Sequence, residues 1–536
     1  MALPDRKLSS PFTLSLIDSR GDLKSLKSTR LTRLRGTHTY RVRADVNNSG
    51  RQKVFLMGNM GGDEFQTIPM TQCEDNPNCW TFEGTLPKSG FLRITSFMET
   101  EEARYWDPCG YREILVDPPL FNNLRMYSYL PGVSGDFNHW IKDLDNIKKM
   151  GFNAIHLLPL TEMGFTNSPY AAKNLYKIDP AYGTEEEFER FLAACVEKEI
   201  ALCFDVVLNH VSCDSELARN KAHWIKGDPL RRDGLKRAGC WHGGDWISWE
   251  ELVLIDYDHP DPQIRKEIWN YMEEYLFHWA TLAEKTGGFI RLDNLHSSHQ
   301  GFIKKVLGHL HNDYPGVGIF SEFFHSPEEL RRGVKEWGLN LLLANSWEYP
   351  FVPPLIDYLK SLHQAPELRY LLMPTTHDTE SVNRLFGGPK SIIPRYFTCA
   401  LMGSGQAGMT MGAEWGEEEK IEFIKKPGRV KFHKNEDYSE AIQRINELHK
   451  NQDLFHKTGN IEFLKTNTDS LIVCRRFCRD GTSQLLLVAN FNTHHMEEFH
   501  YGEKVSLLMG EGAKLEKMDW GIRIVLEPCG VAVLEM

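Results

Sequence analysis

No stretch of this 536-residue chain approaches the ~20 consecutive apolar residues of a membrane-spanning helix, so no membrane insertion is expected. A basic block is missing too. Lysine and arginine total 62 against 73 aspartates and glutamates, and the resulting charge of −11 repels a phosphate backbone, which makes nucleic acid a poor partner. The opening residues, MALPDRKLSSPFTLSL, lack the basic region and apolar core of a secretory signal, and a cytoplasmic location is expected. The 11 cysteines are scattered singly without a Cys-x-x-Cys pair, which favours reduced thiols over a disulfide framework or a zinc site. Internal repeats and low-complexity linkers are also lacking, and the length suits several domains or a barrel with appendages.

What the chain does have is core-forming material: 41% apolar residues, with 29 Phe, 18 Tyr and 13 Trp. Residues 1–118 read as short alternating strands, among them YRVRADV, KVFLMGNMGG, CWTFEGTLP and FLRITSFM, and predict a β-sandwich similar to carbohydrate-binding or immunoglobulin-like modules. Trp80 and Trp106 are either sugar-stacking platforms or sandwich core, with core the preferred reading.

From 119 to 455 strands alternate with helices. MYSYLPG, NAIHLLPL, IALCFDVVLNH, GGFIRLDN, VGIFSEFF, LNLLLANSW, YLLMPTTHD and GQAGMTMGAEWG supply eight strands. Between them, Trp140, Ile141, Leu144 and Ile147 share a helical face, Thr184 and Glu187 stand at capping-box spacing, and Asp261-Pro262 and Ser326-Pro327 open further helices. Eight such units predict a (β/α)8 barrel, whose chemistry lies at the C-terminal ends of its strands. Residues 211–256, rich in Trp, Gly and charge, read as an insertion after the third strand, and 456–536 as a closing β-sandwich.

The strand ends carry Asp205, Asn209 and His210, then Arg291 and Asp293, then Glu322, then His377 and Asp378. Barrel geometry brings Asp293, Glu322 and Asp378 to one rim. Two carboxyl groups ~5–5.5 Å apart are what retaining glycoside hydrolysis needs, and an acidic rim is also what a divalent metal needs.

In this order, FDVVLNH, GFIRLDNLH, GIFSEFF and TTHDTE resemble the four signature regions of the α-amylase superfamily, and the resemblance spans Arg125 to Met536, including SPYAAKNLYKIDPAYGTEEEF. It implies that Asp293 is the nucleophile, Glu322 the general acid and then base, and Asp378 a ligand of sugar hydroxyls that favours the distorted ring. Arg291 would orient Asp293 and hold it ionised, while Glu322, beside Phe320, Phe323 and Phe324, would have a raised pKa. His210 and His377 would donate to sugar hydroxyls, and Tyr170 would stack on the ring. The implied partner is an α-glucan or maltooligosaccharide. No cofactor is required, and calcium stays open at Asn209, whose position binds it in many amylases but whose companion ligands are not identifiable in the insertion.

The segment LDNLHSSH departs from the pattern, since many amylases place lysine and histidine three and four residues after the nucleophile, and here His296 stands at three. With NAIHLLPL, TTHDTE and a helix-like SPYAAKNL, this form is more similar to the 4-α-glucanotransferase half of glycogen-debranching enzymes. Hydrolysis remains the alternative, with acceptor-side aromatics and water exclusion deciding between them. Trp224, Trp241, Trp246 and Trp249 are either acceptor platforms or local core. Two further alternatives are an inactive glucan-binding barrel and a metal-dependent barrel hydrolase. Retention of the three carboxylates and Arg291 weighs against the first, and the lack of His-x-His on the first strand against the second.

Overall fold

The computed structural model describes residues 3–18, 23–29, 31–35, 40–47, 52–59, 65–82, 90–242, 245–432, 434, 436–478, 481 and 483–536. Its internal contacts divide the chain into two compact units, 1–122 with 300–319 and 325–340, and 123–299 with 320–324 and 341–536.

The first unit holds two β-sheets, one built around the ten-residue strand Gly90–Glu99 and one around Thr13–Asp18 and Tyr40–Asp45. Alternation along these strands sends Leu14, Leu16, Val42, Leu56, Leu92 and Ile94 into a shared core. Trp80 belongs to that core at 7% exposure. Trp106 is half-buried, its ring against Phe97 and its Nε1 donating to Asp5 Oδ1 at 2.8 Å. One expectation fails here: Cys73 and Cys79 are disulfide-bonded, because the hairpin of Thr71–Cys73 and Asn76–Thr81 brings their Cα atoms to 5.4 Å. The helices Gln300–Asp313 and Pro327–Trp337 belong to this unit. The second starts at Ser326, whose side chain accepts from Glu329 N, and stops at Gly338 in the left-handed region. Asp117 fastens the unit by accepting from Arg33 at 2.7 Å and Asn340 at 3.0 Å.

The barrel closes in sequence order: β1 (Arg125–Tyr129), β2 (Ala154–Leu157), β3 (Ala201–Val206), β4 (Phe289–Leu292), β5 (Gly318–Ser321), β6 (Leu341–Leu343), β7 (Tyr370–Leu372) and β8 (Gln406–Thr410), with β8 pairing back on β1. All eight are buried throughout, as expected of parallel strands covered on both faces. The helix Phe137–Lys149 is capped by Asp136 and buries Phe137, Trp140, Leu144 and Ile147, while Ile141 is only half-buried. Thr184 and Glu187 form the reciprocal capping box, and Asp261 caps the 24-residue helix that opens at Pro262.

Two segments depart from their sequence reading, and the insertion between them gains detail. SPYAAKNL is not helical: Ala172–Ile178 is a strand paired with Thr161–Met163, its Ala172 and Leu175 buried, so pairing overrides the helix-forming composition. In the insertion, His210–Ser212, Asp245–Leu254 and Arg237–His242 form a three-stranded sheet. Trp224 is core rather than platform, 4% exposed, edge-on to Tyr271 and covered by Lys221 Nζ 3.7 Å from its ring centroid. Trp249 is half-buried against Ala171, Ala238 and Leu252, and the side chains of Trp241 and Trp246 lie outside the described residues. The C-terminal strands pair into one six-stranded sheet. Gly521–Glu535 pairs with Gln484–Asn490 through one half and with Glu497–Tyr501 through the other, so the sheet bends over a core of Val473, Val488, Ile524 and Leu534.

Candidate active site

Each of the first four strands carries a polar residue at its last inward position. The register pairs Ser128 on β1 with His156 on β2, and Asp205 on β3 with Arg291 on β4. Cross-strand partners of this kind point to the same face. Ser128 Oγ lies 3.0 Å from His156 Nδ1, and His156 Nε2 3.0 Å from Asp205 Oδ2. An ionised carboxylate only accepts, so Nε2 carries the proton and Nδ1 accepts from Ser128. Burial keeps this imidazole neutral, lowering its pKa against the pull of Asp205.

Arg291 is the hub. Its side chain is 2% exposed, and its Nη1 donates to Asp205 Oδ2 at 2.5 Å and to Asp293 Oδ1 at 3.1 Å, while Nη2 donates to Glu322 Oε2 at 2.9 Å. Burial alone would pull the guanidinium pKa down; Asp205, Glu322 and Asp293 outweigh it and keep the charge. Glu322 Oε2 also accepts from Asn294 N at 2.9 Å. That bond depends on Asn294 adopting the left-handed conformation, φ 44°, which asparagine tolerates better than most residues and which turns its N–H back towards β5. Asp293 N bonds Val206 O, and Glu322 N bonds Leu292 O, so the strand ends fix both carboxyl-bearing residues.

Tyr170 and His377 extend the network to Asp378. The Tyr170 hydroxyl donates to Asp205 Oδ2 at 3.0 Å and lies 2.7 Å from His377 Nε2, which is 3.0 Å from Asp378 Oδ2. The Tyr170 and His377 rings are nearly parallel, with planes 10° apart and centroids 5.7 Å apart, and meet through the hydroxyl. Burial works against ionisation of Asp378, but His377, Arg291 and Lys420 prevail and hold its carboxyl well below the usual range. His210 stands apart: its Nε2 faces the Tyr170 carbonyl at 3.2 Å, its ring is buried, and burial lowers its pKa to about 4.

A pocket of about 190 Å³ opens over this network, lined by Arg291, Glu322, His377 and Asp378, with Ser128 and His156 at its floor. Phe324 and Trp347 stand edge to face on its wall, centroids 6.1 Å apart. Of the sequence-derived residues, Asp293, Glu322, Arg291, Tyr170, His377 and Asp378 are joined through direct contacts, and His210 touches them only through Tyr170's backbone. Missed as participants were Asp205, His156 and Trp347. A polar residue at an inward position of an apolar strand was the available signal for the first two.

The protonation of Asp293 runs against expectation. Burial and the charge of Glu322 push its carboxyl well above the usual range, and Arg291 opposes them without prevailing. Burial is the larger cause, and the one guanidinium that opposes it is shared among three carboxylates, with Asp205 closer to Nη1 than Asp293 is. As for calcium, Asn209 Oδ1 is buried without a hydrogen-bond partner, and among the described residues no group of three or more His, Cys, Asp and Glu is placed to hold a metal ion.

The closed parallel barrel with carboxylates at its strand ends defines the class: a (β/α)8 protein of the α-amylase type. The sequence model of the α-amylase catalytic domain matches residues 92–251. The matched segment ends before Asp293, so the carboxylate site rests on its own geometry. Among curated relatives, the α-1,4-glucan:maltose-1-phosphate maltosyltransferase of Picrophilus torridus is 23% identical over 73% of this chain and 64% of its own length. An intracellular maltogenic amylase of Bacillus subtilis is 21% identical over 64% of this chain and 60% of its own. The chain therefore spans less than two thirds of these relatives. Among solved structures, the native Nostoc punctiforme debranching enzyme superimposes with a TM-score of 0.62 at 17% identity, covering 78% of this chain and 99% of that one, a likeness of fold. Among the described residues no helix is long and apolar enough to cross a membrane.

Proposed function

We propose that the protein is a retaining enzyme of α-1,4-glucans that forms a glycosyl ester on Asp293 and passes the glycosyl unit to another glucan chain, a 4-α-glucanotransferase. The observation that carries this reading is the suspension of Asp293 and Glu322 from the two arms of one buried guanidinium, 3.1 and 2.9 Å from its nitrogens. In the first half-reaction the Asp293 carboxylate attacks the anomeric carbon while Glu322 gives its proton to the departing glycosidic oxygen. In the second, Glu322 takes a proton from the acceptor hydroxyl, whose oxygen displaces Asp293. Each step needs one proton on the pair. Asp378 and His377 on the pocket wall would hold sugar hydroxyls, and Phe324 and Trp347 offer apolar faces to the ring.

Transfer is favoured over hydrolysis by the LDNLHSSH departure and by the maltosyltransferase names of several relatives. Hydrolysis is the second reading, supported by the maltogenic amylase relatives. The intracellular location given in their names supports a cytoplasmic site of action. Incubation with maltoheptaose followed by product sizing separates the readings. Products both longer and shorter than seven units are expected, only shorter ones mean hydrolysis, and unchanged heptaose refutes catalysis on this substrate. The Asp293→Asn variant should lose any such activity by a factor on the order of 10³ or more.

A further inference from the structure

Strand β1 has two functional faces. Met126 and Ser128 line the pocket described above, while Tyr127 and Tyr129, pointing the other way, line a separate cavity of about 1070 Å³ that shares no wall residue with it. Its other walls are the helices Phe137–Lys149 and Ser439–Asn451, the turn after β8 and the irregular segment 429–432. That segment is tied down by its backbone, Val430 N to Val133 O at 2.9 Å and Gly428 N to Gly132 O at 3.1 Å, so the cavity is a built space.

The lining is mixed in a particular way. Four acidic and four basic residues face it. Most are already matched: Arg429 with Asp143 at 3.3 Å, Glu440 with Arg444 at 3.2 Å, and Asp437 under the field of Lys434 and Lys149. Such a balance selects no ion. It supplies donors and acceptors side by side, which suits hydroxyl groups, since each hydroxyl is both. The Trp415 ring, backed by Phe432 at 5.3 Å and with Lys434 Nζ 4.5 Å from its centroid, adds an aromatic side chain to the same wall. Deeper in, Glu414 is 1% exposed, with Tyr127 donating to one carboxyl oxygen and Gly412 N to the other at 3.0 Å. The volume lies at the upper end of the roughly 300–1,000 Å³ of ligand pockets.

We propose that this cavity is a second carbohydrate site, for a neutral oligosaccharide, distinct from the carboxylate pocket. The choice of ligand class rests on the proposed function. The test is calorimetric titration of maltotriose into the full chain carrying Asp293→Asn, so that the sugar is not consumed, alone and with Trp415→Ala or Gln443→Ala added. Two maltotriose per chain are expected in the first protein, and one in each double variant. Trp415 contacts Phe432 and its loss could loosen the wall, whereas Gln443 lies on a helix surface, so agreement between the two variants separates lost binding from lost folding. One site in the single variant, or two in both double variants, overturns the inference. Turnover of maltoheptaose by the unmodified chain is read in parallel. Turnover with a single maltotriose site overturns this inference alone, binding that depends on Trp415 without turnover overturns the catalytic reading alone, and neither binding nor turnover overturns both.

Discussion

Replacing Asp205 by asparagine removes a charge while preserving shape, and it tests whether sharing of Arg291 sets the protonation of Asp293. Asp205 Oδ2 is 2.5 Å and Asp293 Oδ1 3.1 Å from the same nitrogen, so the two oxygens are at most about 5.6 Å apart, the two distances laid end to end. Both side chains are nearly buried, at 0% and 11% exposure. With an effective dielectric constant of ~20, two unit charges at that separation repel by about 3 kcal/mol, equivalent to roughly two pH units. The sign follows from the role. Asp293 must lose its proton to act as nucleophile, its carboxyl is raised in the folded protein, and removing a neighbouring negative charge lowers it. The acid limb of the kcat/KM profile on maltoheptaose should therefore move to lower pH, by about two units, even where the plateau falls because Tyr170 and His156 lose a charged acceptor. An acid limb that stays in place, or moves to higher pH, would refute the idea that Asp205 competes with Asp293 for Arg291.

Glu322→Gln should slow turnover of maltoheptaose by about 10²- to 10⁴-fold, yet leave the initial fluoride burst from α-maltosyl fluoride nearly intact, because fluoride departs without a proton. Equal losses on both donors would take the acid role away from Glu322. Trp140 is 1% exposed and packs edge-on against Phe137 at 4.7 Å and Tyr129 at 5.8 Å, so Trp140→Ala should cost about 3–5 kcal/mol in denaturant unfolding; a cost below ~1 kcal/mol would mean that the helix is not anchored there. Treatment with a chelator should leave both the thermal midpoint and turnover unchanged, and a loss restored by added calcium would give Asn209 a cation after all.

The barrel was legible because its strands are short apolar runs at regular spacing, separated by helices whose caps are written in the chain, such as Thr184 with Glu187. The long-range bending of the last sheet was not: Gly521–Glu535 reads as one strand, and only its two sets of partners show that it serves both halves. The disulfide of Cys73 and Cys79 was hidden for a similar reason, since six residues of separation carry no signal until a hairpin folds them together. SPYAAKNL failed because its alanines favour a helix locally while Thr161–Met163 offers it strand pairing.

The site shows where motif reading stops. Arg291 next to Asp293 in RLD suggests one cation serving one anion, and within a strand that inference is sound. Charge, however, is apportioned across strands. Asp205 is the register partner of Arg291 on β3, and it in turn is held by His156, the register partner of Ser128 on β1. The row Ser128, His156, Asp205, Arg291 thus forms a floor of hydrogen bonds that takes part of the guanidinium's attraction away from the rim. Burial and the neighbouring carboxylates make Asp293 hold its proton more tightly than an ordinary aspartate. A residue that bears on the ionisation of Asp293 thus lies one strand away from the motif that names it.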